Sequence, residues 1–278
     1  MLGPVRRFAW LLAVSLGGCV TAHNYLDPNG PRFEASYGQI RDVEPALRIV
    51  TFNIENGRRV QQAIAGLRGR RELCGADVLV LQEMTASGVE SIASSLALNA
   101  VYFPASRLEG HDRGNAVLSP WPIEASWKVL LPHPTRIVKN ARAAVAARLR
   151  VDGRAILVYS VHLGSPLGLS GGKRREQAAA VLADADRSPQ QPVIVAGDFN
   201  SRSVAEVFVR GGFLWTTQGV GSTIGIFSFD HIFTRGLGSG AGSTAGVARE
   251  VRDASDHRPV WAVLTPQAVP ESTTLTSP

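Results

Sequence analysis

The residues of this chain best suited to chemistry stand at the ends of apolar runs. In Val193–Ser201 (VIVAGDFNS) a β-branched run closes on Asp198 and Asn200, two residues apart. A strand places residues i and i+2 on one face, so both side chains are expected to point together from a sheet edge. The pattern recurs. In Ile49–Ile54 (IVTFNI) period-two alternation sets Asn53 beside Thr51. Val78–Glu83 (VLVLQE) ends in Glu83, Val158–Leu163 (VYSVHL) carries His162 near its end, and Ser228–Phe233 (SFDHIF) brings in Asp230 at its start. Asp256 and His257 are adjacent, with Ser255 before and Pro259 after, which suits a loop from which both reach one cleft.

Singly, each has a structural explanation. Glu83 would cap the following segment, His162 would be a half-buried histidine, Asp230 would pair with an arginine, and G-D-x-N would be a turn with an Asp cap. Together they assemble acidic groups, two amides and two histidines, which is the inventory of a hydrolytic centre. Oxygen donors without cysteine, with histidines left for proton work, favour a hard cation, Mg2+ or Mn2+, over zinc.

The elements that must position these residues read as strands alternating irregularly with helices. Strands are expected over Leu47–Ile54, Asp77–Gln82, Asn115–Ser119, Ala143–Leu149, Ala155–Val161, Val193–Ala196, Phe229–Thr234 and Pro259–Leu264. Helices are expected over Arg59–Leu73, Gly88–Leu98, Lys173–Asp186 and Val204–Arg210. Val151-Asp152-Gly153-Arg154 joins two of the strands as a hairpin with an Asp-Gly turn. Hairpins mixed with crossovers imply mixed sheets, stacked and covered by helices.

The 278 residues, 45% hydrophobic and 19% charged, suffice for a sizeable core. A net charge of +6 favours an anionic partner, although the basic residues are scattered. Arg6 and Arg7 precede the apolar run Phe8–Leu16, too short to span a bilayer, so residues 1–18 read as a signal peptide. Leu16-Gly17-Gly18-Cys19 resembles a bacterial lipobox, in which Cys19 becomes a lipidated first residue and anchors the protein to the cell envelope at a periplasmic or outer-membrane face. An ordinary cleaved signal is the alternative. Residues 19–47, with Pro28, Gly30, Pro31, Gly38 and Pro45, are expected to be a tether, 48–265 the folded domain, and 266–278 a disordered tail. Cys74 is left to pack as a small apolar residue at a helix end.

In order along the chain, TFNIENG, LQEM, GNAVLSPWPI, VYSVHLGS, REQ, AGDFNS, FDHIF and SDHRPV resemble the motifs of the endonuclease/exonuclease/phosphatase superfamily. They cover nearly the whole domain. The resemblance implies an α/β fold, a four-layer α/β/β/α sandwich of two mixed sheets flanked by helices, with its cleft at one end. It implies metal-assisted attack of water on a phosphoester. Carried over position by position, Glu83 holds the Mg2+ or Mn2+, with Asn53 nearby and Asp256 as a further ligand. His257 resembles the catalytic histidine, oriented by Asp230, and the general base is His257 or Asp198. Asn200 and His162 donate hydrogen bonds to phosphate oxygens. Arg142 is either a phosphate contact or a surface arginine.

The substrate is expected to be an anionic phosphoester, a nucleic acid or a phospholipid headgroup, acted on by a monomer. A nuclease or phosphodiesterase is the first reading and a headgroup or inositol-phosphate phosphoesterase the second. A catalytically silent binding module is the reading outside enzymes, and retention of the whole set of polar groups argues against it.

Overall fold

A computed structural model describes residues 22–39, 46–136, 138–251 and 253–265. The expected signal peptide, Cys19 and the expected tail lie outside the described residues. The strands, in chain order, are β1 (His23–Asn24), β2 (Phe33–Ser36), β3 (Leu47–Asn53), β4 (Val78–Met84), β5 (Asn99–Leu108), β6 (His111–Ser119), β7 (Ile123–Leu130), β8 (Ala143–Val151), β9 (Arg154–His162), β10 (Val193–Asp198), β11 (Leu214–Trp215), β12 (Asp230–Arg235), β13 (Thr244–Val247) and β14 (Val260–Leu264). The helices are α1 (Val60–Gly69), α2 (Ala86–Leu96), α3 (Gly171–Ala185) and α4 (Ala205–Arg210).

Strand periodicity sorts these elements into layers. Along β3, Val50 and Phe52 pack on the α1/α2 side while Ile49 faces the second sheet. Along β10, Val193 and Val195 pack toward α3 and α4 while Ile194 and Ala196 face the first sheet. Three apolar cores therefore separate four layers. The first sheet runs β1-β5-β6-β4-β3-β14-β13, with β2 also on β5, and the second runs β11-β12-β10-β9-β8-β7. Both are mixed: β3 with β4 and β9 with β10 are parallel pairs, and the remaining pairings are antiparallel. The expected α/β/β/α sandwich is the fold.

Two departures matter. Part of the expected tether is sheet, because β1 and β2 both pair with β5 and cover its outer edge. Cys74 is exposed rather than packed, since α1 ends at Gly69 and Cys74 falls in the turn that follows. Among the described residues no helix is long and apolar enough to cross a membrane.

Candidate active site

Register brings the chemical residues into one row. Asp198 ends β10, opposite His162 at the end of β9 on one side and Asp230 at the start of β12 on the other. All three continue the inter-sheet face of their strands, the face of Ala196, Val158 and Ile232. Asn53 ends β3 on the facing sheet and reaches across: its Nδ2 donates to Asp198 Oδ2 at 3.1 Å. The sandwich thus closes at one end on polar groups from both sheets.

Glu83 arrives by a bulge. The β4–β6 register slips between Leu81 and Met84, and Glu83 has φ 56°, a left-handed value rare outside glycine. Leu81 and Met84 both stay in the outer core, so the extra residue lets Gln82 and Glu83 turn inward together. Gln82 donates to Ser160 Oγ at 3.1 Å, and Asn115 donates to the carbonyls of Ala143 and Ser160, which floors the site with a satisfied polar layer. Glu83 keeps 23% side-chain exposure against 2% for Asp198, so it is the carboxylate at the opening.

Asn200 reaches the site by a different route from the strand alternation expected of it. β10 stops at Asp198, and Asn200, at φ 51°, swings back so that its backbone N–H donates to Asp198 Oδ1 at 2.8 Å and its Nδ2 lies 3.3 Å from Oδ2. Gly197 permits the turn. A Cβ there would sit 1.9 Å from the Val161 carbonyl oxygen. Between the two polar residues Phe199 anchors the loop against Phe208 and Phe233.

His257 lies just before β14, where Ser255 fixes the loop: its Oγ donates to the Asn53 carbonyl and accepts from the His257 N–H. His257 Nδ1 meets Asp230 Oδ2 at 2.8 Å and its Nε2 stands 3.7 Å from Asp198 Oδ2. Burial opposes charge on this ring, but Asp230, then Asp198 and Asp256, override it and raise the histidine to about 10. Asp198 is raised to about 7, first by burial and then by the neighbouring charge of Asp230. In the metal-free site these shifts favour the proton on His257 over Asp198.

His162 has the opposite bias. Burial, then the charges of Arg142 and His257, lower it well below the usual histidine range. An arginine only donates, so Arg142 Nη1 at 3.0 Å makes His162 Nδ1 an acceptor and leaves the ring proton on Nε2, which faces Asp198 at 3.5 Å and Glu83 at 3.8 Å. Arg142 lines a small cleft with Glu83, Ser106, Asn115 and His162.

Of the expected metal ligands, Glu83 and Asn53 adjoin, with Asn53 Nδ2 3.4 Å from Glu83 Oε1. Asp256 is exposed, next to His257 in the chain, and its carboxylate accepts from Ser255 Oγ at 3.3 Å. The donor atoms of Asp198, Asp230 and His257 all lie within 4.8 Å of one another, close enough to share a divalent cation if the His257 ring gives up its proton to do so. Asp230 Oδ1 is buried without a hydrogen-bond partner, as an oxygen awaiting a ligand would be. Gln82, Ser160, Asn115 and Ser255 carry no chemical signature in the sequence, and period-two alternation from Val80 and Val158 is the signal that places the first two on the inter-sheet face.

Residues 50–257 match the model of the Endonuclease/Exonuclease/phosphatase family. The chain belongs to this family. Family membership and the buried Asp-Asp-His cluster make it a metal-dependent hydrolase. The same fold is found in an endonuclease/exonuclease/phosphatase from Beutenbergia cavernae, at 22% identity and TM-score 0.63 over 80% of this chain and 72% of that one. D. rerio TDP2 complexed with single-strand DNA product gives 18%, 0.62, 79% and 99%. Sphingomyelinase C from Streptomyces griseocarneus gives 19%, 0.61, 80% and 100%. The sequence has no match among the curated proteins compared with it.

Proposed function

We propose that the protein hydrolyses phosphodiesters at the cell envelope, with Asp198 accepting the proton of the attacking water. The observation that carries this is the line Asp230–His257–Asp198, in which one buried carboxylate keeps the histidine charged and the other is left ionisable near pH 7. A base working near its own pKa transfers protons most effectively. The charged His257, the Nε2–H of neutral His162 and the Arg142 guanidinium form a set of donors for phosphoryl oxygens as negative charge builds on them; Asn200 Nδ2, which donates to the Leu163 carbonyl at 3.0 Å, joins them by giving up its 3.3 Å contact with Asp198. Glu83, with Asn53 beside it, would hold Mg2+ or Mn2+, and the unpartnered oxygen of Asp230 belongs to the separate cluster with Asp198 and His257. Asp256, an exposed carboxylate next to His257, would add charge at the same rim. Such a cation polarises a phosphoryl oxygen and acidifies water.

Polynucleotide is the first substrate reading, supported by the net charge of +6. Lipid-headgroup phosphodiesters are the second, supported by the tight turn that precedes Asp230. There Ile226 is 86% and Phe227 54% exposed, and Ile224 bridges to the backbone of His257. Envelope attachment rests on the Leu16–Cys19 motif.

Nicking of supercoiled plasmid with Mg2+ by wild type and not by His257→Ala would support the first reading. Failure to nick, with release of phosphorylated headgroup from phospholipid vesicles, would replace it with the second. Changing Cys19 to Ser should move the protein out of the membrane fraction, and its persistence there would remove the lipid anchor from the proposal.

A further inference from the structure

Residues 22–36 lie outside the segment matched by the family model, yet β1 pairs with β5 near the catalytic end, while β2 runs along the other half of the same strand, away from the site. β1 pairs Asn24 with Ser106, a residue of the cleft that holds Glu83, Arg142 and His162. The Tyr25 hydroxyl donates to Asp112 at 2.7 Å. Buried Lys128, from β7 of the other sheet, donates through Nζ to the carbonyls of Tyr25 and Gly30 at 2.7 and 2.8 Å. The segment is thus clasped from both layers.

Its forward end grips one loop. Asn24 Oδ1 accepts from the Ala141 N–H at 2.7 Å, Asn24 Nδ2 donates to the Lys139 carbonyl at 2.9 Å, and the Ala22 N–H donates to the Val138 carbonyl at 3.2 Å. Lys139 has φ 52°, a conformation that costs a non-glycine residue energy and needs outside support. The next residue after Ala141 is Arg142, whose guanidinium meets His162 in the cleft.

We infer that the N-terminal segment is a strap that positions Arg142, with Asn24 as its positioning residue. It acts one residue from the arginine: one side chain fixes the donor of Ala141 and the acceptor of Lys139, while the Arg142 carbonyl accepts from the Leu131 N–H at 3.0 Å, so the approach of the chain to Arg142 is held from both sides. The inference rests on the reading that Arg142 binds substrate phosphate.

The test is steady-state hydrolysis of bis(p-nitrophenyl) phosphate with Mg2+ by Asn24→Ala, Arg142→Ala and the double variant. Loss of two hydrogen bonds to the loop should raise KM about tenfold in Asn24→Ala with kcat little changed, and Asn24→Asp, which keeps the acceptor for Ala141, should recover part of this. Arg142→Ala should raise KM about ten- to a hundredfold. In the double variant the Asn24 effect should vanish, because a strap cannot aim an absent arginine. Tyr25→Phe, which loosens the strap away from the loop, should leave KM unchanged. In metal-free protein, exchange of the Ala141 amide should speed up in Asn24→Ala while the melting temperature holds. If Arg142→Ala leaves KM unchanged, the phosphate reading and the strap both fall. If Arg142→Ala raises KM and Asn24→Ala does not, or if the two effects add, the strap alone is overturned.

Discussion

Replacing Asp230 by Asn keeps the shape of the side chain and removes its charge. Asp230 is fully buried, accepts from His257 at 2.8 Å and is the largest influence favouring charge on that ring. The rise of His257 from 6.5 to about 10 corresponds to about 5 kcal/mol of preference for the protonated ring, at about 1.4 kcal/mol per pKa unit. With Asn at 230, burial is left opposed only by Asp198 and Asp256, so the ring falls back toward 6.5. Asp198 moves down as well, because Asp230 is the charge that helps to raise it. In the wild type, activity should rise as Asp198 ionises near pH 7 and fall as His257 loses its proton near 10. In Asp230→Asn both limbs shift to lower pH, and above neutrality kcat should drop by about 10²–10⁴ as the charged histidine is lost. Hydrolysis of bis(p-nitrophenyl) phosphate between about pH 5 and 10, with circular dichroism to check folding, measures this. An alkaline limb that stays in place in the folded variant would refute the assignment of the proton to His257.

Gly197→Ala should fail to fold or lose several kcal/mol of stability, since its Cβ would meet the Val161 carbonyl oxygen at 1.9 Å; a near-native denaturant midpoint would show that β9 and β10 are less closely apposed than described. His257, raised in the folded state, contributes stability that is fully present below its ordinary 6.5 and is lost as pH climbs through about 10. The melting temperature of the wild type relative to His257→Gln should therefore decline over that window, and a difference independent of pH would contradict the raised ring.

The sheets' inner strands were legible because apolar runs with period two announce themselves, and each of β3, β4, β9, β10 and β12 carries its polar residue at the end that forms the site. The strands that escaped are those whose local signal is broken. β5 contains Pro104, and β7 carries Glu124 and Lys128 in a strand whose outer positions are only half buried. Lys128 reads as a surface residue, yet it is 2% exposed because three backbone carbonyls from distant segments converge on it. The same convergence hid the strap, since Pro and Gly in residues 28–31 look like tether until β5 supplies a partner. Motif order located Glu83, Asp198, Asn200, Asp230 and His257 at one end. It did not contain the bulge at Glu83, the turn at Asn200, or which member of the Asp198–His257 pair holds the proton, because each depends on contacts between residues far apart in the chain.

Metal dependence and the role of Asp198 are tested together by phosphodiester hydrolysis by the purified protein before and after chelation with EDTA, beside Asp198→Asn. Chelation should abolish hydrolysis and Mg2+ or Mn2+ restore it, and the folded variant should show none above background. Undiminished hydrolysis in EDTA, or by Asp198→Asn, would contradict this reading.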